Sequence, residues 1–592
     1  MGSEESWLIV NIDNAVTKAV LIERTKSGFG VRGSGEAPTT VGSPELDVTV
    51  GVKRAVENLA AGLGIRLWGA EGPSGGRRLL CSSNTSDGLH MMVAGVISMI
   101  SAESAQRAAL GAGALLMDVF SKDDPRPGYQ RVERMRSLRP DIFLLAGGID
   151  GGAEKQVLEM ADQVDAADIK PRFGSEYKLP VIYAGNVEMR DEVEGILSKE
   201  RYATKLVENV RPVIDRENLG PAREGIYDAY MQHVIVHSPG YEKLSGWVDE
   251  PIMPSQAAIG RLLYAYALKR GVNLVAVDVG GATTDVYSVL NGTFNRSLNA
   301  DIGMTYGIGN IMKKVGVEGV IRWIPEEMGE REVRNVVGNL MVAQQESLSE
   351  GEASVQQAAA REAMRLGLES HRKIASRLKG VVLKRSLGDM FQQAIEDSYL
   401  DMMRANVVIG RGEAFTRYGG DGAAAMLMLD GMEPTGLTEL FVDRSSIMPH
   451  LGMLCERNRE AAMQVLSDEC LHKLGTCIAP RGTAGEGEEA MRVVLTVSGG
   501  PKVKETVSFG ELKVIPLRPG ESALVEAHPR RGLDVGRGNG KRLEGEINGG
   551  SLGLMVDARG RPLKAPGRRE KLAAWKSALT GATGLSKGAG GS

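Results

Sequence analysis

Short aliphatic runs that end in glycine, threonine or an acid recur along this chain. Residues 8–12 and 19–22 form two such runs, and Val275-Ala276-Val277 forms a third that closes on Asp278. Residues 143–146 and 179–183 each lead into a glycine-containing loop, and residues 437–442 lead into Asp443. Helical spacing follows at about residues 153–164 and again at 261–269, just before the run at Leu274. Short buried strands alternating with helical segments predict a layered α/β architecture. Residues 326–380, rich in Glu, Arg, Ala, Met and Gln, predict one or two long helices with a joint near residues 350–351. Beyond residue 481, runs at 493–497, 514–517 and 522–527 predict a small β-rich module. Within it, residues 544–557 predict a hairpin turned at Asn548-Gly549-Gly550. The expected organisation is an α/β domain over 1–190, a mainly helical connector over 191–271 and a second α/β domain over 272–480 carrying the helical insertion. The β-rich module over 481–565 and a basic, flexible tail over 566–592 complete it.

Composition narrows the function classes. A chain of 592 residues, 42% hydrophobic, is long enough for several cores. A net charge of −4 gives no general attraction to nucleic acid or anionic lipid. The four cysteines, Cys81, Cys455, Cys470 and Cys477, include no C-x-x-C pair. That predicts buried thiols in a reduced, cytoplasmic protein. No basic segment precedes the first apolar run, which argues against a signal peptide. The longest apolar stretch, around residues 91–100, is too short to cross a bilayer. His233 and His237 sit four apart, but the Val-Ile-Val between them favours a strand, and no third metal ligand accompanies them.

The richest chemistry lies at residues 275–287, Val-Ala-Val-Asp-Val-Gly-Gly-Ala-Thr-Thr-Asp-Val-Tyr. Two antiparallel strands joined by a tight turn fit this pattern. Gly280 and Gly281 would let a polyphosphate approach backbone N–H groups. Thr283 and Thr284 add hydroxyls, and the carboxylates of Asp278 and Asp285 could hold Mg²⁺ through its waters. Residues 7–23 repeat the shape. There a polar turn containing Thr17 and Lys18 offers a hydroxyl and a point charge. Two such hairpins suggest a duplicated fold that closes on a nucleotide from both sides. Residues 407–414, with Gly410 and Gly412, form a strand-then-Gly-x-Gly turn of the kind that contacts a nucleotide's sugar and base.

The two hairpins resemble the phosphate-1 and phosphate-2 motifs of the superfamily of actin, heat-shock chaperones and sugar kinases. Further segments tighten the resemblance: Cys-Ser-Ser-Asn-Thr-Ser-Asp-Gly from Cys81, Leu-Leu-Ala-Gly-Gly-Ile-Asp-Gly-Gly from Leu144, Asp-Ile-Gly-Met-Thr-Tyr from Asp301 and Asp-Arg-Ser-Ser-Ile-Met-Pro-His from Asp443. Together they are similar to the MutL family associated with glutamate mutase, which is unrelated to the mismatch-repair protein of that name. The resemblance implies duplicated actin-like (ribonuclease H-like) domains that bind ATP and Mg²⁺. It implies a reactivating, chaperone-like partner of a cobalamin-dependent mutase or aminomutase. Cobalamin would belong to that partner, since this chain lacks Asp-x-His-x-x-Gly. Carried over, Asp278, Asp285 and Lys18 are the candidate catalytic residues, with Asp278 and Asp285 on the metal. Asn11, Asp13, Thr17, Lys18, Gly280, Gly281, Thr283, Thr284, Gly410 and Gly412 are the candidate nucleotide contacts. Three departures stand out: Asn11 replaces an expected acid, and Asp13 and Glu413 replace expected glycines. They leave open whether ATP is split. A scaffold that binds the mutase without turnover and a metabolite kinase of the same fold are the alternatives. No nucleic-acid or membrane partner is expected, and a homodimer is compatible with the sequence.

Overall fold

The computed structural model describes residues 5–587 except 43, 70–71, 74–77, 85–88, 235–236, 306, 343–347, 376–399 and 418. Two compact units emerge: Met1–Tyr266 with Ile447–Glu469, and Ala267–Ala375 with Ser398–Ser446 and Cys470–Ser592.

The strands of the first unit are β1 (Ser6–Ile12), β2 (Val16–Thr25), β3 (Gly28–Pro38), β4 (Arg78–Ser83), β5 (His90–Gly95), β6 (Leu115–Ser121), β7 (Ile142–Leu145), β8 (Leu179–Tyr183), β9 (Tyr202–Leu206) and β10 (Met253–Pro254). One sheet runs β10-β4-β1-β2-β3. Its β1–β3 form an antiparallel meander, while β4 lies parallel to β1 and β10 parallel to β4. Residues 7–12 of β1 are all buried, so this central strand is apolar on both faces from Trp7 to Val10 rather than alternating, with the buried Asn11 its one polar side chain there. A second sheet, β6-β5-β7-β8-β9, is parallel throughout.

In the second unit, β11 (Leu274–Val279), β12 (Thr284–Leu290) and β13 (Thr293–Asn299) repeat the meander. Two strands, β14 (Val407–Arg411) and β15 (Gly436–Asp443), follow β11 in parallel. The order β13-β12-β11-β14-β15 matches β3-β2-β1-β4-β10 strand for strand. This is the duplicated, actin-like (ribonuclease H-like) α/β fold that the sequence predicts.

The helix Glu350–Ile374 covers β12 and β13. It starts at the expected joint because Ser349 and Glu352 form a capping box. Its His371 is fully buried, with Nδ1 2.9 Å from Ser297 Oγ and Nε2 2.8 Å from Ser288 Oγ. Residues 376–380, the end of the expected helical segment, lie outside the described residues.

Four expectations need correction. Residues 447–469, expected in the second domain, belong to the first unit. There His450 Nε2 donates to the Lys18 carbonyl at 3.1 Å, and Gly452 packs so closely that a Cβ would lie 2.1 Å from Ala258 O. Residues 544–557 do not form a hairpin. Leu543–Asn548 joins a four-stranded antiparallel sheet, whereas Gly553–Asp557 pairs with β16 (Leu471–Ala479) and extends the large sheet. The intervening glycines serve close crossing, since a Cβ at Gly549 would lie 1.8 Å from Arg518 O. The β-rich module is therefore partly continuous with the second unit's own sheet. Residues 569–587 of the expected flexible tail form the helix Arg569–Lys587, which buries Trp575 and Leu579. Finally, Tyr230–Val234 is helical rather than part of a strand at His233.

No helix among the described residues is long and apolar enough to cross a membrane. All four cysteines are buried and form no disulfide.

Candidate functional site

In the second unit, register pairs Asp278 with Asp285 and Val279 with Thr284. Residues 280–283 make the turn, closed by Gly280 N–H donating to Thr283 O at 2.9 Å. A loop from the end of β13 holds this turn from behind. Met304 N–H donates to Gly280 O at 2.9 Å, and Thr305 N–H donates to Gly281 O at 2.7 Å. Both carbonyls are thus drawn to one side. No acceptor for the amides of Gly281 and Ala282 is found among the described residues, and Ala282 is exposed. Neither glycine is forced by the fold. A Cβ at Gly280 would meet nothing closer than 3.5 Å, and one at Gly281 nothing closer than Thr305 Oγ1 at 3.2 Å. Thr283 is half-buried beside them. Thr284 differs: it is fully buried and donates its hydroxyl to Ile302 O at 2.9 Å, so it holds the loop rather than facing a ligand.

The two acids of the hairpin are already matched by arginines. Asp285 is 3% exposed and accepts from Arg296 Nε at 2.8 Å and Nη2 at 2.6 Å. Burial pushes its carboxyl above the ordinary range, the neighbouring Asp278 adds to this, and Arg296 opposes it. Asp278 is ion-paired to Arg411, its register partner on β14. The Arg411 Nε also reaches Asp443, at the end of β15, at 3.2 Å. Asp443 is fully buried and accepts from Ser446 N–H at 2.8 Å and Cys470 Sγ at 3.2 Å. One guanidinium therefore links carboxylates at the ends of two strands. Asp278 and Asp285 do not present a bare carboxylate pair, and no cluster of three metal-ligating side chains occurs among the described residues. The expected Mg²⁺ does not fit this arrangement as it stands.

The fold accounts for Gly410 and Gly412 without a ligand. A Cβ on Gly410 would lie 2.7 Å from the Phe415 ring, and Gly412 (φ +97) passes so close that a Cβ would lie 2.3 Å from Val279 O. Glu413 opens the short helix Glu413–Thr416 and pairs with Arg417 at 3.3 Å.

In the first unit, Thr17 and Lys18 lie in β2, opposite Ile12 and Asn11, and not in the turn. Asn11 is buried, and its Oδ1 accepts from Ser82 Oγ at 2.9 Å and Ser255 Oγ at 2.7 Å. Its amide oxygen ties β1 to β4 and to the helix Ser255–Arg270. Thr17 is fully buried against Thr39 Oγ1 at 2.9 Å, and Thr39 donates to Asp13 O at 2.7 Å. The Lys18 ammonium pairs with Glu36 on β3 at 3.1 Å. Asp13 is exposed at the turn and accepts from Asn14 N–H at 2.8 Å.

Sequence reasoning passed over Arg411 and Arg296. The first filled the free position of Gly-x-Gly. The second lies inside the strand Thr-Phe-Asn-Arg-Ser-Leu-Asn, and a charged residue within a strand is the signal that could expose it.

A sequence model described as MutL protein matches residues 7–470. The chain belongs to the MutL family. Protein MutL of Clostridium tetanomorphum is 26% identical over 494 residues, spanning 78% of this chain and 98% of that protein. Among solved structures, component A of (R)-2-hydroxyglutaryl-CoA dehydratase from Acidaminococcus fermentans overlaps 77% of this chain and 99% of its own, at 9% identity and a TM-score of 0.27. The diol dehydratase-reactivating factor in nucleotide-free form overlaps 77% and 100%, at 10% identity and a TM-score of 0.28. These overlaps are too loose to decide the fold of this MutL-family chain, which rests on its strand order.

Proposed function

We propose that this MutL-family chain is a nucleotide-binding accessory factor whose partner enzyme is a cobalamin-dependent mutase or aminomutase, with cobalamin held by the partner. The observation that carries the nucleotide half is the β11–β12 turn. Its two carbonyls are held back by Met304 and Thr305, so the consecutive N–H groups of Gly281 and Ala282 make a concavity suited to an anion. Gly280 is not required by packing and Gly281 is crowded only by the Thr305 hydroxyl, which fits a backbone kept bare for a polyphosphate. Family membership supports the partner half.

The proposed mode is binding without rapid turnover. Orienting an attacking water takes an available carboxylate or equivalent group. Asp278 and Asp285 are each engaged by an arginine, and Asn11 is saturated by two hydroxyls. This favours nucleotide as a structural or switching ligand over a metabolite kinase.

Titration of the purified protein with labelled ATP, with phosphate release followed in parallel, tests the reading. Wild type should bind ATP and release phosphate at a negligible rate. Ala282→Pro, which removes one of the two amide donors, should weaken ATP at least about tenfold, the equivalent of about 1.4 kcal/mol, while the circular dichroism spectrum stays native. If wild type binds no ATP, the scaffold without nucleotide is what remains.

A further inference from the structure

The parallel sheet of the first unit has no part in the nucleotide reading, yet its loops are unusually specified. Its order, β6-β5-β7-β8-β9, reverses between β5 and β7. In open parallel sheets that reversal, at the carboxyl ends of the strands, is where small ligands usually enter. Here protein fills it. A Cβ at Gly147 would lie 2.5 Å from the Val96 side chain, one at Gly148 2.9 Å from Ala153 O, and one at Gly185 2.7 Å from Gly147 O. The glycines let the loops after β5, β7 and β8 pack closely against one another there.

What those loops leave outside is apolar. Ile97 is 44% exposed, Met99 53%, Val187 36%, Val213 40% and Ile214 37%. Scattered exposed apolar side chains need no explanation, but a cluster at one end of one sheet does. Hydrogen bonds join them into one rim. Arg211, 1% exposed, donates from Nη1 to Ile100 O at 3.4 Å and from Nη2 to Ile214 O at 2.6 Å. Asp150 N–H donates to Pro212 O at 3.0 Å, and Asp150 Oδ1 accepts from Val187 N–H at 3.2 Å. Taking a guanidinium out of water is costly. Here the buried guanidinium fixes two surface loops that carry the partly exposed Ile97, Met99, Val213 and Ile214.

Acids flank each part of the rim. Asp123 accepts from the Ser98 N–H and hydroxyl, both at 2.8 Å, beside Ile97 and Met99. Glu188 follows Val187, and Asp215 follows Ile214. Of the nearby bases, Lys122 and Lys155 both pair with Glu159, Arg190 donates to Val207 O at 2.8 Å, Arg211 is buried, and Arg216 is exposed next to Asp215.

We infer that this rim docks a segment of the partner enzyme that is both apolar and basic. That the partner is the mutase rests on the function proposed above; the surface itself does not. Fluorescence anisotropy with the full-length chain tests it, using two labelled amphipathic helical peptides of equal leucine content, one lysine-rich and one glutamate-rich. The lysine peptide should bind at least about tenfold tighter than the glutamate peptide, and less tightly at high salt. Met99→Asp with Ile214→Asp should weaken it at least about tenfold, whereas Leu524→Asp, at an exposed leucine in the other unit, should not. Both sets of variants should keep wild-type ATP affinity, so a failure here is separable from a failure of the nucleotide reading. Equal binding of the two peptides, or binding indifferent to the double variant, would overturn the inference. So would a concentration-dependent dimer in sedimentation that the double variant abolishes, which would make a second copy the occupant.

Discussion

Arg411 changes what the end of β11 can do. The sequence places Asp278 correctly at a strand end, but only the strand register shows that β14 sets an arginine directly opposite it. A single guanidinium between Asp278 and Asp443 supplies the counter-charge that the two carboxylates share. Arg411→Ser should leave two largely buried carboxylates without a counter-ion, at a cost of about 3–5 kcal/mol. Manganese should then bind the variant and raise its melting temperature, while wild type shows no response. Equal manganese responses in the two proteins would refute the substitution of one cation by the other. His371 offers a second test at this scale. Burial lowers its pKa to about 3, so it stays neutral in the fold, whereas the unfolded imidazole titrates near its ordinary 6.5. A depressed folded-state pKa gives stability that is fully present above about pH 6.5 and is lost as pH falls toward 3. Between pH 7 and pH 5 the loss should be about 2 kcal/mol by urea unfolding, at about 1.4 kcal/mol per pH unit once below 6.5. His371→Asn should remove that slope. An unchanged slope in the variant would assign the pH sensitivity elsewhere.

Among the elements, legibility followed burial. Strands covered on both faces, such as β1 and β11, stand out in the sequence as aliphatic runs that a polar residue interrupts only near the end, at Asn11 and Asp278. Glycines misled, because a turn and a close crossing use the same residue: Asn548-Gly549-Gly550 carries the signature of the first and performs the second. The C-terminal helix was missed because glycine, serine and lysine dominate its neighbourhood. Its apolar side chains, Leu572, Trp575 and Leu579, nevertheless keep helical spacing. Trp575 is 5% exposed, donates from Nε1 to Gly510 O at 3.0 Å and lies 4.6 Å under the Arg559 guanidinium. Arg559 in turn is buried between Asp557 and Asp430. The helix therefore covers a buried charge network whose desolvation is offset by the pairing of Arg559 with Asp557 and Asp430. Trp575→Ala should destabilise the second unit by about 3–5 kcal/mol, with hydrogen exchange accelerating in Gly420–Gly431 and Gly553–Asp557. Exchange confined to the C-terminal helix itself would show that it is merely attached.

For the molecule as a whole, duplicated topology does not bring duplicated chemistry. Both units carry the same meander followed by two parallel strands, and sequence patterns showed the likeness. They could not show where each polar group spends its hydrogen bonds, because the partners come from remote strands and loops. In the first unit Thr17 is consumed internally. Thr39 gives its one hydroxyl proton to Asp13 O, so Thr17 must donate to Thr39. In the second unit Thr283 stands partly open beside the turn amides of Gly281 and Ala282, for which no acceptor is found among the described residues. Substitution by valine should therefore separate the halves. Thr17→Val should cost about 1 kcal/mol of stability and leave ATP affinity unchanged. Thr283→Val should change stability by less than about 0.5 kcal/mol and weaken ATP about tenfold or more, the loss of a hydrogen bond to a charged group. Calorimetric titration and urea unfolding on the same two proteins decide the matter. If Thr17→Val instead weakened ATP at unchanged stability, the first hairpin would be the working one, and the arginine-matched acids of the second would be the part kept for structure.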